Sequence, residues 1–329
     1  MPFFKKINFL FLLIFALSIL LLPLFIHTAY YLFVMNVIGL NIIVVVGLNL
    51  FIGYAGQISL GHAAFYGIGA YTSAILTTTY GFHPWISIGL AMFLTGSFAC
   101  IIGVPTLKLR GSYLVMATLG FNIIIHIIMV QWETVTGGPD GFPGIPFLTV
   151  GGFAFDTDVK LYYLVWLFSF LSILVSLNLV DSRVGRALRA LRSSEITANT
   201  LGVNTDKYKI KVFVLSAMFT SVAGSLYAHY LTFISPKTFD MFYSIKVVIM
   251  VIVGGLGSIW GPLFGCALFT ILSELLSSIS ETLNIITYGL ILMFIMMFLP
   301  EGVIVGLVEH YQRRKVRMLI ETEKAEASD

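Results

Sequence analysis

Apolar residues fall along this chain in long blocks separated by short polar or glycine-rich breaks. The blocks are Ile7–Ile26, Tyr31–Ile52, Ile58–Thr79, Pro84–Val104, Ser112–Gln131, Leu161–Val180, Val212–Phe233, Tyr243–Val253, Pro262–Ile279 and Asn284–Leu307. Most reach the ~20 residues that carry a helix across a bilayer core. In lipid every backbone polar group must be satisfied internally, which a helix does within one segment. The pattern predicts an all-α polytopic membrane protein with eight to ten transmembrane helices. The first block follows Lys5 and Lys6 like a signal peptide. It is too long for an h-region and no small-x-small cleavage site follows, so it reads as a retained span.

Two junctions do not look like loops. Gly53–Gly61 brings Gly53, Gly56, Gln57, Ser59 and Gly61 together just before His62, and Gly254–Gly261 brings together Gly254, Gly255 and Gly257. Both separate apolar runs and neither carries charge. Discontinuous helices at membrane depth have this character, and paired interruptions in the two halves of a chain point to a transport pathway. Tight turns between closely packed helices would look the same. The count of eight to ten crossings reflects that choice.

Composition agrees with the pattern. Of 329 residues 58% are hydrophobic and 11% charged, with a mean hydropathy of +0.96, too little charge to cover a soluble surface. The net charge of +3 matters less than its placement. With ten crossings, Lys5/Lys6, Lys108/Arg110, the stretch Asp181–Lys211 and Arg313–Arg317 share one face, which the positive-inside rule makes cytoplasmic together with both termini. Trp132–Lys160 then lies outside, and its four acidic residues against one lysine agree. Within it the prolines and glycines of Thr136–Pro146 impose fixed turns, suited to a rigid projection or to a hairpin closing the outer face. Residues 1–319 read as a single transmembrane domain and 320–329 as a disordered cytoplasmic tail.

Candidate chemistry is sparse. There is no GxxxxGK[ST], HExxH, paired CxxC or GxSxG, so no nucleotide site of the P-loop kind and no support for a membrane enzyme. The six histidines show no metal-ligand spacing, and His126 and His229 read as interhelical hydrogen-bond partners. Cys100 and Cys266 lie in apolar runs and read as buried small hydrophobes. Lys246 and Glu274 are intramembrane charges and by default functional candidates, either as a pair or with Lys246 snorkelling outward. Asn41 and Asn49 share a helix face and can bond across it. Small residues at Gly257/Gly261/Gly265, Ala63/Gly67 and Ala70/Ala74 form ridges for close helix packing.

The longest polar interruption is Asp181–Lys211, with seven basic residues against three acidic. Inside it Ser193 or Ser194 can cap a short helix over Ser194–Leu201, with Glu195 in the first turn and Gly202 as the left-handed stop. About two turns long, it is too short to stand alone. A positive-inside loop explains the charge but not a capped helix.

NLFIGYAGQISLGHAAFYGIGAY (Asn49–Tyr71), LRGSYLVMATLGF (Leu109–Phe121), TGGPDGFPGIP (Thr136–Pro146), Ser182–Ala228 and GGLGSIWGPLFGCAL (Gly254–Leu268) closely resemble permease subunits of branched-chain amino-acid ABC importers, the M-type branch in particular. The resemblance runs in order over nearly all of Asn36–Leu307. It implies alternating access driven by ATP on separate subunits, with Ser194, Glu195, Ala198, Leu201 and Gly202 in the segment that couples to the ATPase. It implies a second, homologous permease, two ABC ATPases carrying ATP and Mg, and an extracytoplasmic binding protein as partners. It also implies contact with membrane lipid, none with nucleic acid, no cofactor on this chain, and a bacterial or archaeal cytoplasmic membrane. Permeases for urea and short amides are closely similar, and an ATP-independent transporter or channel is the rival class. Three positions depart from the family pattern: Thr197 and Asn199, where alanine and an acidic residue are usual, and Lys246, where an acidic residue is common.

Overall fold

The computed structural model describes residues 2–25 and 28–277, together with 289, 290 and 293. The first elements are α1 (Pro2–Phe25), α2 (Ala29–Asn49) with a π-helical turn at Leu50–Tyr54, α3 (His62–Thr78), α4 (Pro84–Thr106), α5 (Ser112–Gln131) and the single turn α6 (Glu133–Thr136). Short strands follow at β1 (Phe142–Pro143), β2 (Thr149–Val150) and β3 (Phe153–Ala154). Then come α7 (Asp158–Asp181), α8 (Arg183–Ser193), α9 (Glu195–Thr200), α10 (Thr205–Leu231), β4 (Phe233–Ile234), α11 (Met241–Gly254) and α12 (Trp260–Ser277). Among the described residues five helical stretches are long and apolar enough to cross a membrane: Ala29–Tyr54, α4, α5, α7 and α10. The block Asn284–Leu307, the cluster Arg313–Arg317 and the tail lie outside the described residues.

Helix α10 is the hub, packed against α3, α4 and α2. Its buried face is built from small residues, including Ser216, Ala217, Ser221, Ala223 and Gly224. Small side chains let backbones close in where lipid supplies no hydrophobic drive for helix association. A Cβ on Gly224 would collide with the Tyr66 carbonyl of α3, and one on Gly69 with Ser221. Hydroxyls knit the same seam: Thr95 donates to Ser221 at 2.9 Å and Ser225 to the Gly69 carbonyl at 3.0 Å. The ridge read at Gly257/Gly261/Gly265 is real for its last two members, which press α12 onto the Gly254 and Met250 carbonyls of α11. Gly257 stands outside both helices, in the turn between them.

Asn41 and Asn49 do bridge across their face. Asn41 accepts from the Tyr243 hydroxyl at 3.0 Å and donates to Thr270 at 3.3 Å, while Asn49 donates to the Ser258 carbonyl at 2.8 Å.

The end away from α8 is closed by the loop after α5. β1 pairs antiparallel with β4, Phe142 opposite Ile234, and β2 with β3, Thr149 opposite Ala154. Trp85 donates to the Thr149 carbonyl at 2.8 Å, and Ile145 and Leu148 are buried. The loop is thus a cover folded onto the bundle, not a projection. His229 joins it to the interior: Nδ1 donates to the Pro146 carbonyl at 2.7 Å, leaving Nε2 to accept from Ser73 at 2.9 Å. His126 does not follow the same expectation, since its Nδ1 has no partner. Both cysteines are free; Cys266 is buried, but Cys100 faces outward from α4, so the buried reading holds for one of the two.

Candidate functional site

The basic stretch Asp181–Lys211 holds two complete helices, α8 and α9, and the first turns of α10. α8 leaves Arg183, Arg186, Arg189 and Arg192 exposed and buries Ala187, Leu188 and Leu191 against the bundle. This three-to-four-residue alternation is an amphipathic stripe that sequence reading passed over in favour of the charge count. Ser182 caps α8 by accepting from the Val184 amide at 3.1 Å. α9 follows after one residue. Ser194 caps it through the Thr197 amide at 3.3 Å, and Gly202 closes it at φ +82°. The Val203 amide reaches back to the Ala198 carbonyl and the Gly202 amide to the Asn199 carbonyl, both at 3.0 Å. This double bond pattern is the Schellman closure, and it needs a left-handed residue where Gly202 stands.

The two faces of α9 differ. Ala198 is buried and Glu195 turns inward, where its Oε1 meets Lys209 Nζ at 2.5 Å. Lys209 is 1% exposed and Glu195 18%. Lys209 is therefore not one of a set of solvated basic anchors but half of an ion pair that pins α9 to α10. Asn199 adds a second tie, its Oδ1 accepting from the Thr205 hydroxyl at 3.0 Å. The outward face carries Ile196, 67% exposed, and Leu201, 77% exposed, in an otherwise polar neighbourhood.

The two glycine junctions meet, and Arg192 lies on both. Its Nη1 donates to the Gly53 carbonyl at 2.5 Å. A Cβ on Gly257 would stand 2.7 Å from the same nitrogen, and one on Gly56 would stand 3.3 Å from the Arg192 side chain. Gly56 and Gly257 hold positive φ, +69° and +90°. Arginine thus bonds the last turn of α8 to the exit of α2 and packs against the turn between α11 and α12. The residue spacing of 139 between Arg192 and Gly53 hid this from sequence reading.

From Gly56 the chain climbs along α5 without helix. Ser59 and Gly61 are buried, and the Leu60 amide bonds to the Thr118 hydroxyl at 3.0 Å. α3 therefore starts inside the bundle, four residues later than its apolar block. α11 also starts inside: Ser244, in its first turn, accepts from the Ala63 amide at 2.9 Å and from Asn122, halfway along α5, at 3.4 Å. With 14 residues, α11 spans ~21 Å at 1.5 Å per residue, short of the ~30 Å hydrocarbon core. Its interior start lies ahead of Met241, where no glycine cluster marks it. His62 completes the group, Nε2 to the Ser216 hydroxyl at 2.7 Å. Its Nδ1 and the Asn122 Oδ1 are buried and unbonded. Of the residues read as pathway candidates, His62 and Ser59 line this interior step, Gln57 and Gly56 stand at its basic-end mouth, and Gly53, Gly254, Gly255 and Gly257 form the joint beneath Arg192.

Lys246 and Glu274 sit on neighbouring α11 and α12, within electrostatic reach of each other. Glu274 lies at the end of α12 towards Tyr30 and Tyr31, far from the glycine joint.

Bundle, interior helix starts and basic end together define a helical, multi-pass membrane protein. The family model for branched-chain amino acid transport system permease components matches residues 30–300, and the chain belongs to that family. It is 32% identical over 266 residues to the high-affinity branched-chain amino acid transport permease LivM of Salmonella typhimurium, covering 74% of this chain and 62% of that protein. It is 25% identical to a probable LivM of Methanocaldococcus jannaschii over 73% of this chain and 77% of that one. To LivH of Escherichia coli it is 29% identical over 143 residues, 43% of this chain and 46% of LivH. The chain thus spans about three fifths of the length of the Salmonella LivM. No solved structure matches it significantly.

Proposed function

We propose that this chain is one of two homologous permease subunits of an ATP-driven importer for branched-chain aliphatic amino acids. It works by alternating access in a bacterial or archaeal cytoplasmic membrane, with its basic end and both termini cytoplasmic. ATP and Mg belong to two separate ATPase subunits, and an extracytoplasmic binding protein delivers substrate to the end covered by β1–β4. The chain itself carries out no reaction.

The observation that carries this reading is the double attachment of the α8–α9 segment. Outward it offers Ile196 and Leu201, an apolar pair on a rigid capped turn that suits a groove on an ATPase. Inward it holds α10 through Glu195–Lys209 and both glycine joints through Arg192. A push on α9 therefore reaches α2, α10 and the α11–α12 turn at once. These elements bracket the step where α3 and α11 begin. There the Leu60–Thr118 bond is the inner closure, and His62, Ser216, Ser244 and Asn122 are the polar groups above it. An aliphatic substrate needs few such dipoles in an otherwise apolar site.

The test is uptake by the complete transporter in proteoliposomes, with lumenal ATP and ion gradients collapsed. Leucine, isoleucine and valine should enter only with ATP and binding protein. Uptake without ATP would make the chain a secondary transporter, and uptake of urea or amides alone would replace the substrate class.

A further inference from the structure

Between the first glycine junction, the start of α5 and α9 lies a cavity of about 330 Å³, lined by Gln57, Ile58, Arg110, Leu114, Val115 and Glu195 among others. We propose that it is a cytoplasmic binding site for the zwitterion of an aliphatic α-amino acid, and that occupancy restrains the coupling segment, so that imported product slows its own uptake. The proposal rests on the functional reading above for substrate class and for the cytoplasmic side.

An α-amino acid carries its carboxylate and ammonium on one carbon, so its site needs a cation and an anion a few ångströms apart beside an apolar wall. Arg110 Nε and Glu195 Oε2 form a loose ion pair at 3.8 Å, longer than a hydrogen bond and open for a ligand's two charges to enter between them. Glu195 spends its other oxygen on Lys209, which leaves Oε2 for an ammonium. Arg110 is 68% exposed, and its fork can turn to take a carboxylate in two parallel bonds. Ile58 is a surface apolar residue, 45% exposed, at the mouth of the Gly53–Gly61 junction. With Leu114 and Val115 it gives a branched side chain a surface to cover. The volume lies at the small end of the ~300–1,000 Å³ range of small-molecule sites. The ligand would span the α5 start and Glu195 of α9. It favours the arrangement in which those two lie side by side over any in which α9 moves away, and that difference in affinity is what shifts a conformational equilibrium.

The experiment uses the complete transporter in proteoliposomes loaded with ATP and either nothing, leucine, lysine or urea. Initial uptake of labelled leucine and ATP hydrolysis are read together as the ratio of loaded to empty vesicles. Leucine loading should lower both ratios several-fold, with half-effect in the ~1 mM range expected of a weak product site; lysine and urea should leave them at one. Val115→Trp, which fills the cavity, should return the leucine ratios to one. Arg110→Gln, on an exposed side chain and so safe for folding, should raise the half-effect concentration about tenfold, the loss of one charge-assisted contact. Ratios of one with leucine up to ~10 mM, or an undiminished effect in Val115→Trp, overturn the proposal. A rate set by the phosphatidylethanolamine content of the vesicles and not by leucine also overturns it, by assigning the cavity to a lipid headgroup. Failure of the underlying reading looks different: empty vesicles then take up no leucine at all. In that case equilibrium binding of labelled leucine to the purified transporter without binding protein, present in wild type and lost in Val115→Trp, still supports the site, and its absence overturns it.

Discussion

Glu195→Ala is the substitution whose cost the structure makes calculable. Lys209 is 1% exposed and its described partner is Glu195, 2.5 Å away. Removing one member of a buried pair strands the other charge, at a cost of about 3–5 kcal/mol. Glu195 keeps 18% exposure, so the lower figure, about 3 kcal/mol, applies. The lost favourable position of an acid in the first turn adds only about 0.5 kcal/mol and does not decide the outcome. At 1.4 kcal/mol per tenfold, docking of α9 on α10 should weaken by roughly 10²-fold. Lys209→Met should behave differently. It removes the buried ammonium and leaves a carboxylate that water and Arg110 can still serve, at a cost of about 1 kcal/mol or less. The double variant should recover most of the loss, because an apolar pair replaces the ion pair without an orphan charge. Hydrogen exchange at the Ala198 and Val203 amides reports docking directly, and leucine transported per ATP hydrolysed reports coupling. The expected order is severe for Glu195→Ala, mild for Lys209→Met, and near wild type for the pair. Equal effects of the two single variants, or a double variant worse than either, would refute the argument.

Other expectations follow from single contacts. A Cβ at Gly202 meets no neighbour within 4 Å, so the cost of Gly202→Val is chiefly backbone strain at φ +82°, at least ~1–2 kcal/mol. ATPase subunits should co-purify less well, while Gly202→Asn stays close to wild type. Gly224→Ala drives a methyl into the Tyr66 carbonyl and should cost about 1–3 kcal/mol by overpacking α3 on α10, seen as a lower Tm in detergent with unchanged membrane insertion. Arg192→Gln loses the charged bond to Gly53, about 1 kcal/mol at this exposed position. A cysteine at Gln57 should then label faster with a cytoplasmic thiol reagent, and unchanged labelling would exclude Arg192 as the link between α8 and the joints.

The α9 cap was legible because Ser194, Thr197 and Gly202 act within eight positions of one another. The amphipathic face of α8 was equally local, yet four arginines at i, i+3 spacing drew attention to charge and away from Leu188 and Leu191 between them. The glycine junctions were legible as breaks, whereas the interior start of α11 was not, because Asp240 is an ordinary cap, accepting from the Tyr243 amide, and Ser244 resembles any first-turn serine. Only the contacts of Ser244 with Ala63 and Asn122 reveal where that helix begins.

By itself the sequence determined an all-helical membrane protein with one basic end, a capped short helix within it and membership of its family. Each of these depends on hydropathy, capping or motif, which are properties of neighbouring residues. Tertiary structure alone decided what each basic residue does. Lys209 and Arg192 stand in one run of similar cations. Burial against Glu195 makes the first a pin, and reach across 139 positions to Gly53 makes the second a link to both joints. A charge carries no local mark of whether water or a distant partner will hold it, since that depends on which helices the fold brings alongside.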